Sequence, residues 1–257
     1  MGRLRSGLRL LVATSLTAGS VVAAVPAGAQ ARTQCFGGDA TIVGTQASDV
    51  IRGTEDNDVI IARGGSDRIR ALDGRDLVCA GKGADVVRGG DGFDIVLAGD
   101  GADDIKGNRG ALLTSGDSGD DVIDSSSSDD FVVGGDGDDF IKTGKDTDIV
   151  IGRRGEDFII LDGGRDLASG GSGNDSILGG KKSDVIVGRD DNDDLAGGPG
   201  RDELLGGNGT DALQGGAGSD GCNGELEVGC ERPARRAIEG MASTGRAALA
   251  RALERLS

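Results

Sequence analysis

From Asp49 to Asp220 an aspartate falls on every ninth residue, at 19 of 20 consecutive positions, with Leu112 the one exception and no insertion or deletion to shift the register. A period held this long constrains architecture before local propensity does, because every unit must repeat one structural piece and bury its apolar side against the next copy. The units read GGDGFDIVL at 89–97, GGDGDDFIK at 134–142, GGSGNDSIL at 170–178 and GGNGTDALQ at 206–214. Their consensus is G-G-x-G-x-D-x-U-x. U is Ile, Val or Leu in 17 of 20 repeats, and Thr114, Ala168 and Cys222 are the departures.

Glycine at the first, second and fourth positions permits positive φ and close backbone approach, so the first six residues suit a tight turn. The last three suit a short strand whose eighth residue points inward while the seventh and ninth point out. Two nonapeptides then make one coil, with strands on two opposite faces and turns on two opposite edges. Ten coils stacked at the ordinary strand spacing of about 4.8 Å give a rod of about 45 Å. Its core is thin, since each repeat contributes one aliphatic side chain and the chain has no Trp, no Tyr and only 5 Phe. Hydrophobic burial alone is a weak explanation of why such a chain folds.

The nonapeptide resembles the RTX calcium-binding repeat family over residues 44–223. The resemblance implies an all-β fold, a right-handed parallel β-roll solenoid, with Ca²⁺ held between turns one coil apart on the same edge. The donor types agree with this, because Ca²⁺ takes six to eight oxygens from carboxylates and carbonyls, and stacked turns offer both. Folding coupled to ion binding follows, since the carboxylates repel until a cation arrives. The competing reading is a metal-free solenoid whose aspartates only solvate turns.

The two edges differ in their glycines. On the first, Gly and Asp coincide at Gly65/Asp67, Gly83/Asp85, Gly101/Asp103, Gly119/Asp121, Gly137/Asp139, Gly155/Asp157 and Gly173/Asp175. The second is intact at Gly74/Asp76 and Gly92/Asp94, loses its Asp at Leu112 and its glycine at Ser128, Asp146 and Lys182, and is intact at Gly164/Asp166, Gly200/Asp202 and Gly218/Asp220. These thirteen aspartates, counting Asp211 on the first edge, are the candidate calcium ligands, and ions are expected to concentrate on the first edge. Asp56, Asp146 and Asp191 at the glycine position are milder departures than Lys182, because Asp tolerates left-handed backbone.

The outward strand positions also divide. One face carries Val59, Leu77, Ile95, Leu113, Phe131, Ile149, Leu167 and Val185 at the seventh position, with Ile61, Cys79, Leu97, Ser115, Val133, Ile151, Ser169 and Val187 at the ninth. A strip of about 34 Å is more apolar surface than soluble monomers usually leave bare, so it is expected to be covered or to pair with a second copy or a surface partner. The opposite face has Arg52, Arg70, Arg88, Lys106 and Lys142 at the ninth position, read as partners of turn aspartates. After Pro233 the repeats stop, and Ile238, Met241, Gly245, Leu249, Ala252 and Leu256 follow at helical spacing. A C-terminal α-helix over 234–256 would be about 35 Å long. It could lie along the apolar strip, attach through Arg235, Arg236, Arg246, Arg251 and Arg255 to an anionic surface, or remain a mobile tail.

Residues 1–29 read as a signal peptide: Arg3, Arg5 and Arg9 precede an apolar stretch from Leu10 to Val25, and Ala27-Gly28-Ala29 is a small-residue cleavage site. Export predicts an extracellular, secreted protein. Residues 30–43 form an N-terminal cap, 44–223 the repeats, and 224–257 a disulfide-bounded end with the helical tail. Removing the three leader arginines takes the net charge from −16 to −19, which favours cations and argues against nucleic acid. In an exported chain the 4 cysteines are readable as disulfides. Cys222 and Cys230 would staple the final coil. Cys35 would lie two coils from Cys79, about 10 Å, if it kept the repeat register, so that pair forms only if the segment before Gly44 folds back.

With no histidine, zincin proteases and Ser-His-Asp or Cys-His enzymes are excluded. Carboxylate chemistry such as polysaccharide cleavage needs only two acids, yet the repeat accounts for the aspartates. In the RTX family such repeats accompany proteases, lipases, toxins or adhesins. An N-terminal leader and no effector domain depart from that pattern. The expectation is a non-enzymatic, secreted calcium-binding protein with a structural, surface or partner-binding role. A polysaccharide-active enzyme and a calcium-dependent adhesin are the alternatives.

Overall fold

In the computed structural model, residues 34, 35, 37–230, 232 and 233 are described; the expected leader and the expected helix over 234–256 lie outside them. Each strand of the repeats pairs in parallel with the strand two repeats away, as Ile60 with Val78, Val78 with Val96 and Val96 with Thr114. Successive strands alternate between two sheets of 12 and 11 strands. The result is a parallel β-solenoid of two nonapeptides per coil. Because the strands recur once per coil without slippage, every eighth position lands on one inner column. Ile60, Ile69, Val78, Val87, Val96, Ile105, Ile123 and Ile141 are all fully buried there. Thr114, Ala168 and Cys222 are buried in the same column at 2 % exposure or less, so the register places them inward despite their poorer apolar character. Ala62, Ala71, Ala80 and Ala98, at first positions, thicken the core in the early coils.

Both ends are closed by disulfides. Gln34–Cys35 and Gly38–Asp39 form an antiparallel hairpin, and Cys35, 1 % exposed, is bonded to Cys79 with Cα atoms 6.0 Å apart. The segment before Gly44 therefore does fold back. It lies on the first strands of the larger sheet, since a Cβ built on Gly38 would stand 3.3 Å from Val59 and 3.5 Å from Leu77. At the other end Cys222 is bonded to Cys230, and Arg232–Pro233 pairs with Gly221–Asn223 as the last strand of that sheet.

The outer faces correct two expectations. On the larger sheet Ile95, Ile149 and Leu167 are 9 % exposed or less, and most of the rest are half-buried. In-register columns of branched side chains about 4.8 Å apart shield one another, and the hairpin covers Val59 and Leu77. The large exposed apolar groups lie on the opposite sheet, where Val122, Phe140, Phe158 and Leu178 are 37–43 % exposed and the two phenylalanine rings stack at 5.7 Å. Of the basic side chains there, Arg88 pairs with Asp104 on the next strand at 2.9 Å and Lys142 with Asp162 in a turn at 3.1 Å. Arg52, Arg70 and Lys106 have no ion pair among the described residues, so partnership with turn aspartates holds for Lys142 alone.

Candidate metal-binding ladders

The sixth-position aspartates form two columns, one along each edge. The backbone N–H of each donates to Oδ1 of the aspartate one coil on. On the first edge these bonds run from Asp67 to Asp85 at 2.7 Å, Asp85 to Asp103 at 2.7 Å, Asp103 to Asp121 at 2.8 Å and Asp121 to Asp139 at 2.9 Å. They continue through Asp157 and Asp175 to Asp193 and Asp211. The column ends at Glu225, whose Oε2 accepts from the Asp211 N–H at 3.1 Å. On the second edge Leu112 interrupts, and the Asp94 N–H turns to the carbonyl of Ala111 at 3.1 Å instead. The Leu112 N–H itself resumes the column by donating to Asp130.

Oδ1 is thus accounted for, and Oδ2 is not. In the first repeats threonine supplies partners: the N–H and hydroxyl of Thr45 donate to Oδ2 of Asp49, and those of Thr54 to Oδ2 of Asp58. From Asp67 onward every ladder aspartate is 3 % exposed or less, and, Asp94 excepted, Oδ2 has no hydrogen-bond partner. An unpartnered buried carboxylate oxygen is costly, and one in nearly every turn calls for a ligand.

Where the first position of a turn is glycine, it leaves room in front of that oxygen; Ala62, Ala71, Ala80, Ala98, Ser125, Thr143 and Leu161 stand there in the other turns. A Cβ on Gly197 would stand 2.6 Å from Oδ2 of Asp202 and 2.7 Å from the carbonyl oxygen of Gly215, one coil on. On Gly179 it would meet the Gly197 carbonyl at 2.7 Å and Oδ2 of Asp184 at 2.8 Å. Carboxylate and carbonyl oxygens from successive coils therefore face the same small volume. Fourth-position carbonyls, such as that of Gly65 beneath Gly83 (φ +115°), also project along the stack.

Burial raises the pKa values of these groups. Removal from water is the largest cause, the backbone N–H bond relieves part of it, and for most of them repulsion from neighbouring carboxylates adds to it. Asp67, Asp76, Asp121, Asp148, Asp157, Asp193 and Asp202 are raised from 3.8 to about 6. Asp94, Asp103, Asp139, Asp175 and Asp184 reach about 7, and Asp130 and Asp166 about 8. Asp85 is raised as well. A tenfold change in acidity is worth about 1.4 kcal/mol. Ionising fourteen such groups at even about 1 kcal/mol each would match the roughly 5–15 kcal/mol net stability of an ordinary domain. At neutral pH the ladders need either protons or a cation.

The donor set fits a hard cation. It is all oxygen, the chain has no histidine, and among the described residues no cysteine is free and no three acidic, histidine or cysteine side chains converge on one point. A metal here would take its coordination largely from turn carbonyls plus a carboxylate from a coil, a set suited to Ca²⁺ and unlike zinc or copper sites.

All thirteen aspartates expected as ligands stand in the two columns. Asp130, Asp148, Asp184 and Asp193, passed over because Ser128, Asp146, Lys182 and Asp191 replace the fourth glycine, occupy the same environment. Those four replacements adopt positive φ, from 77° to 90°, so the turn tolerates them, and the nine-residue aspartate period, unbroken from Asp121 to Asp220, was the signal for including their neighbours. The edges differ for another reason. Strands running into the first edge continue well into the turn, as in Phe131–Asp136 and Ile149–Arg154. On the second edge the outer coils do the same, as in Arg68–Gly74 and Ala212–Gly218, whereas in the middle coils Val122–Asp124, Phe140–Lys142 and Phe158–Ile160 stop short and isolated bridges such as Ser127 with Lys145 link their turns. Ser125, Thr143 and Leu161 stand there at the first position, fully buried, where glycine would leave space.

A family model describing the RTX calcium-binding nonapeptide repeat (4 copies) matches residues 37–78, 80–111 and 115–150, and then overlapping segments out to 222. No curated protein matches the chain.

Proposed function

Because the chain belongs to the RTX calcium-binding nonapeptide repeat family, we propose that it is an exported, non-catalytic β-roll in which Ca²⁺ binding between coils completes the fold. The observation that carries this reading is the column of buried, unpartnered Oδ2 atoms facing turn carbonyls. Asp67, Asp85, Asp103, Asp121, Asp139, Asp157 and Asp175 would hold ions on the first edge, joined there by Asp193 and Asp211. On the second edge Asp76, Asp94, Asp166, Asp202 and Asp220 would do so, with Asp130, Asp148 and Asp184 in the altered turns. Bound calcium supplies positive charge and oxygen coordination, which lets the carboxylates stay ionised in the dry turns. The protein contributes rigid spacing: Oδ1 is fixed by the N–H of the preceding coil, so Oδ2 is pre-positioned. Threonine partners at Asp49 and Asp58 mark the first turns as self-satisfied and metal-free.

Export is supported by the leader-like residues 1–29 and by two disulfides in so small a core. Outside the cell, modules of this kind bind calcium at about 10⁻⁴–10⁻³ M, which suits constitutive loading and a structural or surface role. Against carbohydrate cleavage, Oδ1 of each ladder aspartate is already engaged in the stack and the side chain is closed to a polymer. Calcium titration of the stripped mature chain with a competing indicator tests the ion reading, with several ions per chain expected and none refuting it. N-terminal sequencing of the cell-free protein tests export, and an intact Met1 would refute it.

A further inference from the structure

At the border between the larger sheet's outer face and the first edge, a concavity of ≈ 450 Å³ is lined by arginine, serine and one isoleucine, with two aspartates on its rim. Register explains it. Arg153, Gly171 and Arg189 are consecutive partners at the second position of three coils, so two guanidinium-bearing residues stand two strand spacings apart, about 10 Å, with no side chain between them. Ile151, Ser169 and Val187 form the adjoining ninth-position row, and the small Ser169 opens a gap in that apolar floor.

The charges are arranged for an anion. The Arg189 Nε–H donates to Oγ of Ser169 at 2.5 Å, which fixes the guanidinium over the floor and leaves its terminal N–H groups for a ligand. Neither Arg153 nor Arg189 has a carboxylate within ion-pair distance among the described residues. Of the acids at the rim, Asp136 is neutralised by Arg154 at 3.1 Å, while Asp190 keeps its charge and accepts from Asn208 at 2.8 Å, which leaves the slot with a surplus of one positive charge. What sets this pair apart is its placement around one slot, since Arg52 and Arg70 also lack an ion pair among the described residues.

Backbone geometry adds to this. Arg153 and Arg189 have φ of 96° and 102°, where the repeat consensus places glycine, and such strain persists where something offsets it. Positive φ alone does not mark a site, because Leu72 and Asn108 share it. The pair differs in flanking an empty register position above a hydroxyl.

We propose that this slot binds an oxyanion-bearing ligand of about monosaccharide size, with the anionic group between Arg153 and Arg189 and its uncharged body on Ile151. Carboxylate, sulfate and phosphate share the fork geometry that guanidinium recognises, and the volume suits one small ring.

The test uses the calcium-loaded mature chain, titrated separately with glucuronate, sulfate and inorganic phosphate, with glucose as the neutral control, while arginine Nε–H resonances are followed by NMR. Saturable shifts at Arg153 and Arg189 with at least one anion, and none with glucose, are expected; which anion binds most tightly identifies the group. Arg153→Gly and Arg189→Gly should each weaken binding at least tenfold while leaving Tm unchanged or higher, since glycine relaxes the left-handed backbone. Ser169→Leu, which continues the neighbouring apolar column, should block the slot in a folded protein. Absence of saturable shifts with all three anions, or binding retained in the double glycine variant, would overturn the proposal.

Discussion

Raising the pH of the chelated protein from about 5 to about 8 should unfold it, and adding calcium should reverse the sign of that response. In the folded roll fourteen aspartates are raised from 3.8 to between about 6 and about 8, by burial first. The folded state therefore holds protons that the unfolded chain has released. Its stabilisation by those protons is complete below about pH 4, falls as pH rises above that, and is gone once pH has risen through 6–8. Each such proton changes stability by about 1.4 kcal/mol per pH unit. Between about pH 4 and 6, where the folded state alone holds all fourteen protons, and discounting by half for water around the turns, the slope is roughly 10 kcal/mol per pH unit, comparable with the whole stability of a domain. At that slope the transition should be complete within about half a pH unit. With saturating Ca²⁺ the bound form requires ionised carboxylates, so the fold should persist at about pH 8 and weaken on acidification. Far-UV circular dichroism across the pH range, with and without chelator, reads both arms. A chelated chain whose β signal is unchanged or strengthens between about pH 5 and about pH 8 would refute the reasoning.

Three substitutions and bond removals extend this. Asp139→Asn keeps an oxygen for the Asp121 N–H while removing a charge raised to about 7. It should stabilise the chelated fold by about 2 kcal/mol in urea melts near pH 7 and weaken calcium binding at least tenfold; the same sign in both conditions would count against the ladder reading. Leu112→Asp restores the missing acceptor beside Asp94, and should add to the calcium stoichiometry while destabilising the chelated form, as measured by indicator titration and melting. Removing the Cys35–Cys79 bridge by a double Ala substitution, across a 44-residue separation, should cost about 4 kcal/mol. It should also raise dye binding by baring Val59 and Leu77, and unchanged stability would separate the hairpin from the fold.

Much of this architecture was legible because a coil of two nonapeptides leaves little freedom. Once the aspartates set the period, the inward position followed for residues as unlike as Ile60, Thr114 and Ala168. Degree of shielding was not legible. Alternation along a strand gives a side chain's direction, whereas its exposure depends on neighbours in the coils above and below, which is why the Ile95 and Ile149 column is shielded and Phe140 and Phe158 are not. The altered second edge depends on Ser125, Thr143 and Leu161 entering the core at a position read as a turn glycine. The hairpin at Cys35 lies outside the period altogether, and only the disulfide geometry constrained it. Of the candidate site, the sequence indicated which carboxylates line up. That Oδ1 is consumed by the stack and Oδ2 left over is a fact of three-dimensional register alone.

The most direct test of calcium-coupled folding is far-UV circular dichroism of the mature chain, residues 30–257, stripped at neutral pH and titrated with Ca²⁺ against Mg²⁺. A cooperative rise in β signal with Ca²⁺ and none with Mg²⁺ is the predicted result. A full β signal already present in chelator at neutral pH would contradict the account.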